Sequence, residues 1–150
     1  MSPGFRFVRD LTILLAVAAT VVFVVTRWIA VPWVVVGSSM EPTLGAGDRV
    51  VVALLSYRKR APQQGEIVLF AGPGDRMLVK RLATGPVSSA EIPLRSAFSP
   101  ATADEEWFTA LGDHAEASDD SRRFGPIPRH RFVGRVVWRY WPLDRVGSIR

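Results

Sequence analysis

The chain has 150 residues, no cysteine and a net charge of +5. That length suits one compact domain rather than two, and the lack of cysteine excludes disulfides, thiolate metal sites and a cysteine nucleophile. The charge is blocked: from Asp104 to Asp120 every charged residue is acidic, and from Arg122 to Arg150 nearly every one is basic. Blocks of this kind read as solvated faces, not as a nucleic-acid groove. Lys59 and Lys80 are the only lysines among 19 basic residues, so a lysine inside an apolar run stands out.

Residues 1–10 form a short tail carrying Arg6 and Arg9, and Leu11–Val25 follows without a charge. Continued past Arg27 to Val31, the apolar segment 11–31 is about 31 Å long as a helix, enough to cross the hydrocarbon core of a bilayer. Arg27 then snorkels at the far interface, where Trp28 and Trp33 suit an aromatic belt. The Arg6/Arg9 flank predicts a cytoplasmic residue 1–10 tail, a lipid bilayer around 11–31, and an extracytoplasmic domain over 32–150. The rival reading is a cleavable signal peptide cut after Ala16-Val17-Ala18. The apolar run through Val25 favours the retained anchor, because a cut there would expose a greasy tail.

Beyond Pro32 the helical period disappears. β-branched runs at Trp33–Val36, Arg49–Leu55, Glu66–Phe70, Met77–Leu82 and Arg131–Tyr140 alternate with Gly, Pro and Asp clusters, which predicts an all-β domain. In the last run, Phe132, Val136, Trp138 and Tyr140 are expected on one face and Arg131, Arg135 and Arg139 on the other. Residues 88–111 show no clear period and read as an excursion from the core.

Three segments hold residues with chemistry to offer. Gly37-Ser38-Ser39-Met40-Glu41-Pro42 follows an apolar strand. A strand entering a tight turn can expose a serine hydroxyl and aim backbone N–H groups at an oxyanion, although a plain β-turn has the same composition. Lys80 interrupts the apolar strand Met77–Leu82. Facing solvent it is an ordinary charge; facing inward it loses hydration, and its neutral amine becomes available as a base. Gly112-Asp113-His114 through Ser118-Asp119-Asp120-Ser121-Arg122 and Gly125 reads, taken alone, as a polar loop with an Asx turn or an Asp–Arg ion pair.

Taken together, the three segments and their order resemble the bacterial type I signal peptidase family, the Ser/Lys membrane proteases that remove signal peptides. Ser39-Met40-x-Pro42-Thr43 looks like the nucleophile box and Gly47-Asp48 like the turn after it. Gly65–Phe70 is similar to the next strand, and Lys80-Arg81 with Pro86 resembles the general-base box. Gly112-Asp113 through Ser118-x-Asp120-Ser121-Arg122-x-x-Gly125 resembles the third box. Phe132–Val136 and Trp141–Gly147 are similar to the tail.

The resemblance implies a mostly antiparallel β domain behind one transmembrane helix. It implies Ser39 as nucleophile and Lys80 as general base, Ser118 holding the lysine amine in line, and Asp120 with Arg122 bracing that loop. The oxyanion and substrate side falls to Gly37, Met40, Pro42 and the Ser39 main-chain N–H. Precursor proteins with signal peptides, presenting small residues before the cut, are the implied substrates; neither a metal nor an organic cofactor is implied. The chain departs from the family pattern at Gly37, where some members have serine, at His114, where asparagine is usual, and at Val87-Ser88, where Gly-Asp is expected. The competing readings are a Ser-His-Asp hydrolase using Asp113 with His114 or His130, and a membrane-tethered β scaffold that binds through its arginines. Within the family, a dedicated peptidase for one or a few precursors is the alternative to a general one.

Overall fold

A computed structural model describes residues 3–25, 29–58, 60–86, 96–99 and 105–149. The chain runs through helix α1 (Pro3–Val24) and strands β1 (Ala30–Val34), β2 (Arg49–Ala53), β3 (Ile67–Ala71), β4 (Met77–Leu82), β5 (Trp107–Phe108) and β6 (Ala110–Leu111). It continues into helix α2 (Ser121–Phe124) and strands β7 (Ile127–Pro128), β8 (Phe132–Trp141) and β9 (Gly147–Ser148). α1 is apolar over Arg6–Val24 and about 33 Å long at 1.5 Å per residue. Leu14, Leu15, Val22 and Phe23 are exposed on it. The expected interface residues Arg27 and Trp28 lie outside the described residues, as do Lys59, Val87 and Ser88. Ala30 and Val31, grouped above with the apolar segment, belong to β1 instead, because they pair with Ala53 and Val52.

Seven strands form one sheet in the order β1-β2-β8-β3-β4-β6, with β9 on β8, and β5 pairs β7 separately; every pairing is antiparallel. β3 is buried on both faces. Ile67 and Leu69 join Val35, Met40, Leu44, Val50, Val52, Val79 and Val136 in one core, while Val68 and Phe70 join Leu82, Phe108, Phe124 and Ile127 in the other. Each fully buried side chain of this kind contributes about 1.5–3 kcal/mol relative to exposure. Two elements arise from the segment read as an excursion. Residues 87–95 and 100–104 are not described, but Trp107, Phe108 and Ala110 are buried and complete the second core. Their paired strands are two residues long, too short for a period to register in the sequence.

The expected alternation of the last strand fails at its centre. Val136 lies opposite Val52 but Trp138 lies opposite Val51, so Val137 is an extra residue between them, a β-bulge. From there the faces exchange: Arg139 stands opposite fully buried Val50, and Trp138 turns outward with 44% exposure. The arginine face is therefore not a solvated one. Arg139 pairs with buried Asp48, and Arg135 lies 3.3 Å from buried Glu66.

Candidate active site

Ser39 sits in the turn between β1 and β2. Gly37 enters that turn at φ +85°, with open space around it, so the backbone conformation rather than crowding calls for glycine there. Met40 and Leu44 are driven into the core and tied together by the Leu44 N–H to Met40 carbonyl bond of 2.8 Å. At the base of the turn, Val35 N–H donates to the Asp48 carbonyl and Gly47 N–H to the Val35 carbonyl. Ser39 is half-buried on this anchored turn, whereas Gly37 and Pro42 are exposed.

Lys80 faces inward, with 3% of its surface exposed. β4 places it opposite Val68 and its neighbour Arg81 opposite Ile67, so consecutive side chains serve opposite faces. Lys80 Nζ and Ser39 Oγ form a hydrogen bond of 2.6 Å. Loss of hydration on burial pulls the lysine pKa below its ordinary value. Asp120 and Asp119 oppose that shift, and the nearby Arg122 adds to it.

The loop between β6 and α2 closes over this pair. His114 N–H donates to the Ser39 carbonyl at 3.1 Å. A Cβ on Gly112 would strike the Ser118 hydroxyl and stand 2.5 Å from the Ser39 carbonyl oxygen, so only glycine lets the loop come this close. Asp120 is fully buried and caps α2. It accepts from Gly112 N–H at 2.9 Å, from Arg122 N–H at 3.1 Å, and from the Arg122 guanidinium at 2.9 and 2.5 Å. Burial alone would raise its pKa. The Arg122 guanidinium, with the Gly112 N–H and the Ser118 hydroxyl, outweighs that and holds the carboxyl well below the usual carboxylate range. The Ser118 hydroxyl is buried beside these groups but has no well-aligned partner among the described residues, and its expected hydrogen bond to the lysine amine is not formed.

Further contacts were not assigned from the sequence. Both carboxylate oxygens of Asp113 accept from Arg81 at 2.9 Å, and the same guanidinium reaches the Thr43 hydroxyl and the Gly65 carbonyl. The alternation of Lys80 and Arg81 on one strand was the available signal, since it sends one cation to each face. Asp113 is thus committed to an arginine, and His130 Nδ1 lies 2.7 Å from Glu105 instead. The histidine–aspartate pairing that a Ser-His-Asp hydrolase requires is not made.

A cavity of about 90 Å³ adjoins the Ser39–Lys80 pair, lined by Trp33, Val34, Val35, Val36 and Met40 on one side and Met77, Leu78 and Val79 on the other. β6 pairs β4 at Arg81 and Leu82, and among the described residues no strand lies beside the Met77–Lys80 backbone on that side. Among the described residues no cluster of His, Cys, Asp and Glu has the make-up of a metal site.

Residues 8–87 and 93–141 match the family described as signal peptidase, peptidase S26. The probable signal peptidase I-2 of Synechocystis is 32% identical over 139 aligned residues, covering 75% of this chain and 63% of that protein. Signal peptidase IB of Staphylococcus aureus is 28% identical over 168 aligned positions, covering 87% of each. The probable chloroplastic thylakoidal processing peptidase 2 of Arabidopsis thaliana is 31% identical over 160, covering 88% of this chain and 44% of that protein.

Proposed function

We propose, from the premise that this chain belongs to the signal peptidase S26 family of serine endopeptidases, that it removes amino-terminal signal peptides from exported precursors. Ser39 is the nucleophile and Lys80 the general base. The observation that carries the reading is the 2.6 Å contact between the amine of a lysine only 3% exposed and a serine hydroxyl on the anchored turn.

In this mechanism neutral Lys80 takes the Ser39 proton as Oγ bonds to the scissile carbonyl carbon. The negative oxygen is stabilised by main-chain N–H groups of the Gly37–Met40 turn, that of Ser39 foremost. The Lys80 ammonium then gives its proton to the departing amine as the C–N bond breaks, leaving an acyl-enzyme on Ser39. A water that loses its proton to Lys80 attacks the acyl carbon. The carboxylic acid leaves, and the proton returns to Ser39. Ser118, whose hydroxyl crowds the same Gly112 position as the Ser39 carbonyl, aligns the amine once a substrate displaces the resting arrangement, while Asp120 and Arg122 hold the loop.

The Met77–Lys80 edge, unpaired on that side among the described residues, favours an extended peptide that adds to it as a strand. A cavity of about 90 Å³ has room for several waters and thus for small side chains, in keeping with small residues before the cut. α1 is the bilayer anchor, with residues 1–10 in the cytoplasm and the β domain on the outer face of the membrane. The short tether from Val24 to Ser39 and the exposed Val34, Val36, Trp138 and Trp141 suit a site working at the lipid surface.

The test separates the adjacent serines. In the full chain in detergent, Ser39→Ala abolishes cleavage of a signal-peptide substrate and labelling by a serine-directed acylating inhibitor, whereas Ser38→Ala keeps both. The reverse ranking would sink the assignment. Cataloguing the precursors that accumulate on depletion distinguishes a general peptidase from a dedicated one.

A further inference from the structure

The tail segment Trp141–Gly147 has no part in the chemistry above, yet its arginine reaches the turn that carries Ser39. Asp48 is buried at the base of that turn, and its Oδ2 accepts from Gly45 N–H and from Arg139 Nη1, each at 3.0 Å. Arg145 Nη1 lies 3.7 Å from the same oxygen. Both arginines then use their remaining donors on main-chain carbonyls just past the nucleophile. Arg139 Nη1 donates to the Thr43 carbonyl at 2.9 Å; Arg145 Nη2 donates to the Pro42 carbonyl at 3.0 Å and the Thr43 carbonyl at 3.3 Å. Arg139 Nε in turn donates to the Arg145 carbonyl at 2.6 Å, which locks the two together. The Thr43 hydroxyl meets Arg81 from the opposite side.

From this arrangement we propose that Arg139 and Arg145, neutralised by Asp48, are positioning residues that clamp the Pro42–Thr43 peptide and thereby hold Ser39 at reacting distance from Lys80. The proposal rests on Ser39 being the nucleophile. Its physical basis is the stiffness of the turn. Ser39 is tied through Met40 and Leu44 to the core below and through its own carbonyl to His114, whereas Glu41 and Pro42 are exposed, with the Glu41 N–H bonded only back to the Ser38 carbonyl of the same turn. A guanidinium fork can bind two carbonyls at once in a fixed geometry, which an ammonium on a flexible stem cannot. The Val137 bulge brings Arg139 to the inner face where Asp48 lies, so the clamp also accounts for the irregular register of β8.

The experiment compares the wild type with Arg145→Lys and Arg145→Gln as full chains in detergent. Arg145 is chosen over Arg139 because it is the more exposed, and its loss leaves Asp48 paired with Arg139. Four quantities are read: the thermal midpoint, the fraction of molecules that label at Ser39, kcat per labelled site, and KM. Displacing a reacting group by a fraction of an ångström to an ångström costs up to about 10²-fold in rate. The expected result is therefore a fall in kcat per labelled site of roughly tenfold to a hundredfold for Arg145→Gln, a smaller fall for Arg145→Lys, and KM within about threefold. A purely structural role would lower the midpoint or the labelled fraction and leave kcat per labelled site unchanged, and that outcome overturns the clamp alone. Label on a residue other than Ser39 in the wild type would overturn the nucleophile assignment and the clamp with it.

Discussion

Lys80 Nζ rests 2.6 Å from Ser39 Oγ while only 3% of the lysine meets solvent, so a cation that water would stabilise is held where water is scarce. An unperturbed lysine is neutral in only about one molecule in a thousand near pH 7.5. Burial shifts the balance toward the free amine. With Lys80 as the proposed base, activity should depend on the deprotonated form, and kcat/KM is expected to rise with pH through the depressed lysine pKa and level off above it. Lys80→Arg, which keeps the charge but does not deprotonate in this range, should lose about 10²–10⁴-fold or more in kcat. An active Lys80→Arg enzyme would show that another group activates the serine.

The same burial predicts a cost in stability. Because the folded state lowers the Lys80 pKa, the unfolded chain binds this proton more readily, and folding is penalised at any pH below the unfolded lysine value near 10.4. Lys80→Met removes the penalty and keeps most of the volume. It should melt at a higher temperature than the wild type at pH 7 while being catalytically dead. A lower melting temperature would mean that the amine's contacts outweigh its desolvation.

Gly112→Ala is expected to be severe for a steric reason. The added methyl must displace the Ser118 hydroxyl or the Ser39 carbonyl, both part of the site. A loss of about 10²-fold in kcat, with the β fold retained by circular dichroism, is the expected outcome. Activity within a few-fold of wild type would show that the loop yields at little cost.

Asp120 is expected to contribute to the acid response together with Glu66 and Asp113, whose carboxyls are also held below their ordinary values. The folded pKa of Asp120 is depressed, so its contribution to stability is complete above the unfolded value near 3.9 and disappears as pH falls toward the lower folded value. Asp120→Asn keeps an acceptor for the α2 cap but gives up the charged bonds to Arg122, and should melt at a lower temperature at neutral pH. Melting temperatures measured downward from pH 5 should therefore fall more steeply for the wild type than for Asp120→Asn. Parallel curves would place the acid-sensitive group elsewhere.

Neither histidine transfers a proton in this scheme. His130 is engaged with Glu105, and His114 meets the nucleophile turn through its main-chain N–H. His114→Ala and His130→Ala should each keep turnover within about tenfold. A loss of several orders of magnitude at either one would reopen the triad reading.

Local chemistry was legible in the chain before any fold was known. A charge-free run with arginines before it makes an apolar helix, β-branched runs between Gly, Pro and Asp clusters make antiparallel strands, and Gly37-Ser38-Ser39 makes a turn. The order of the three segments was enough to point to the family. Tertiary structure decided the rest, because it depends on which backbones lie opposite one another. A lone lysine in a strand has no face until the register with Val68 assigns it one. Arg139 is a solvated charge by simple alternation, and only the extra residue Val137, forced by pairing with Val51 and Val52, turns it toward Asp48. Asp113 found Arg81 rather than a histidine, and Trp107, Phe108 and Ala110 became core without a periodic pattern to announce them. Period and turn composition act within a few residues of chain, whereas register, bulges and long-range ion pairs are set by the packing of strands distant in sequence.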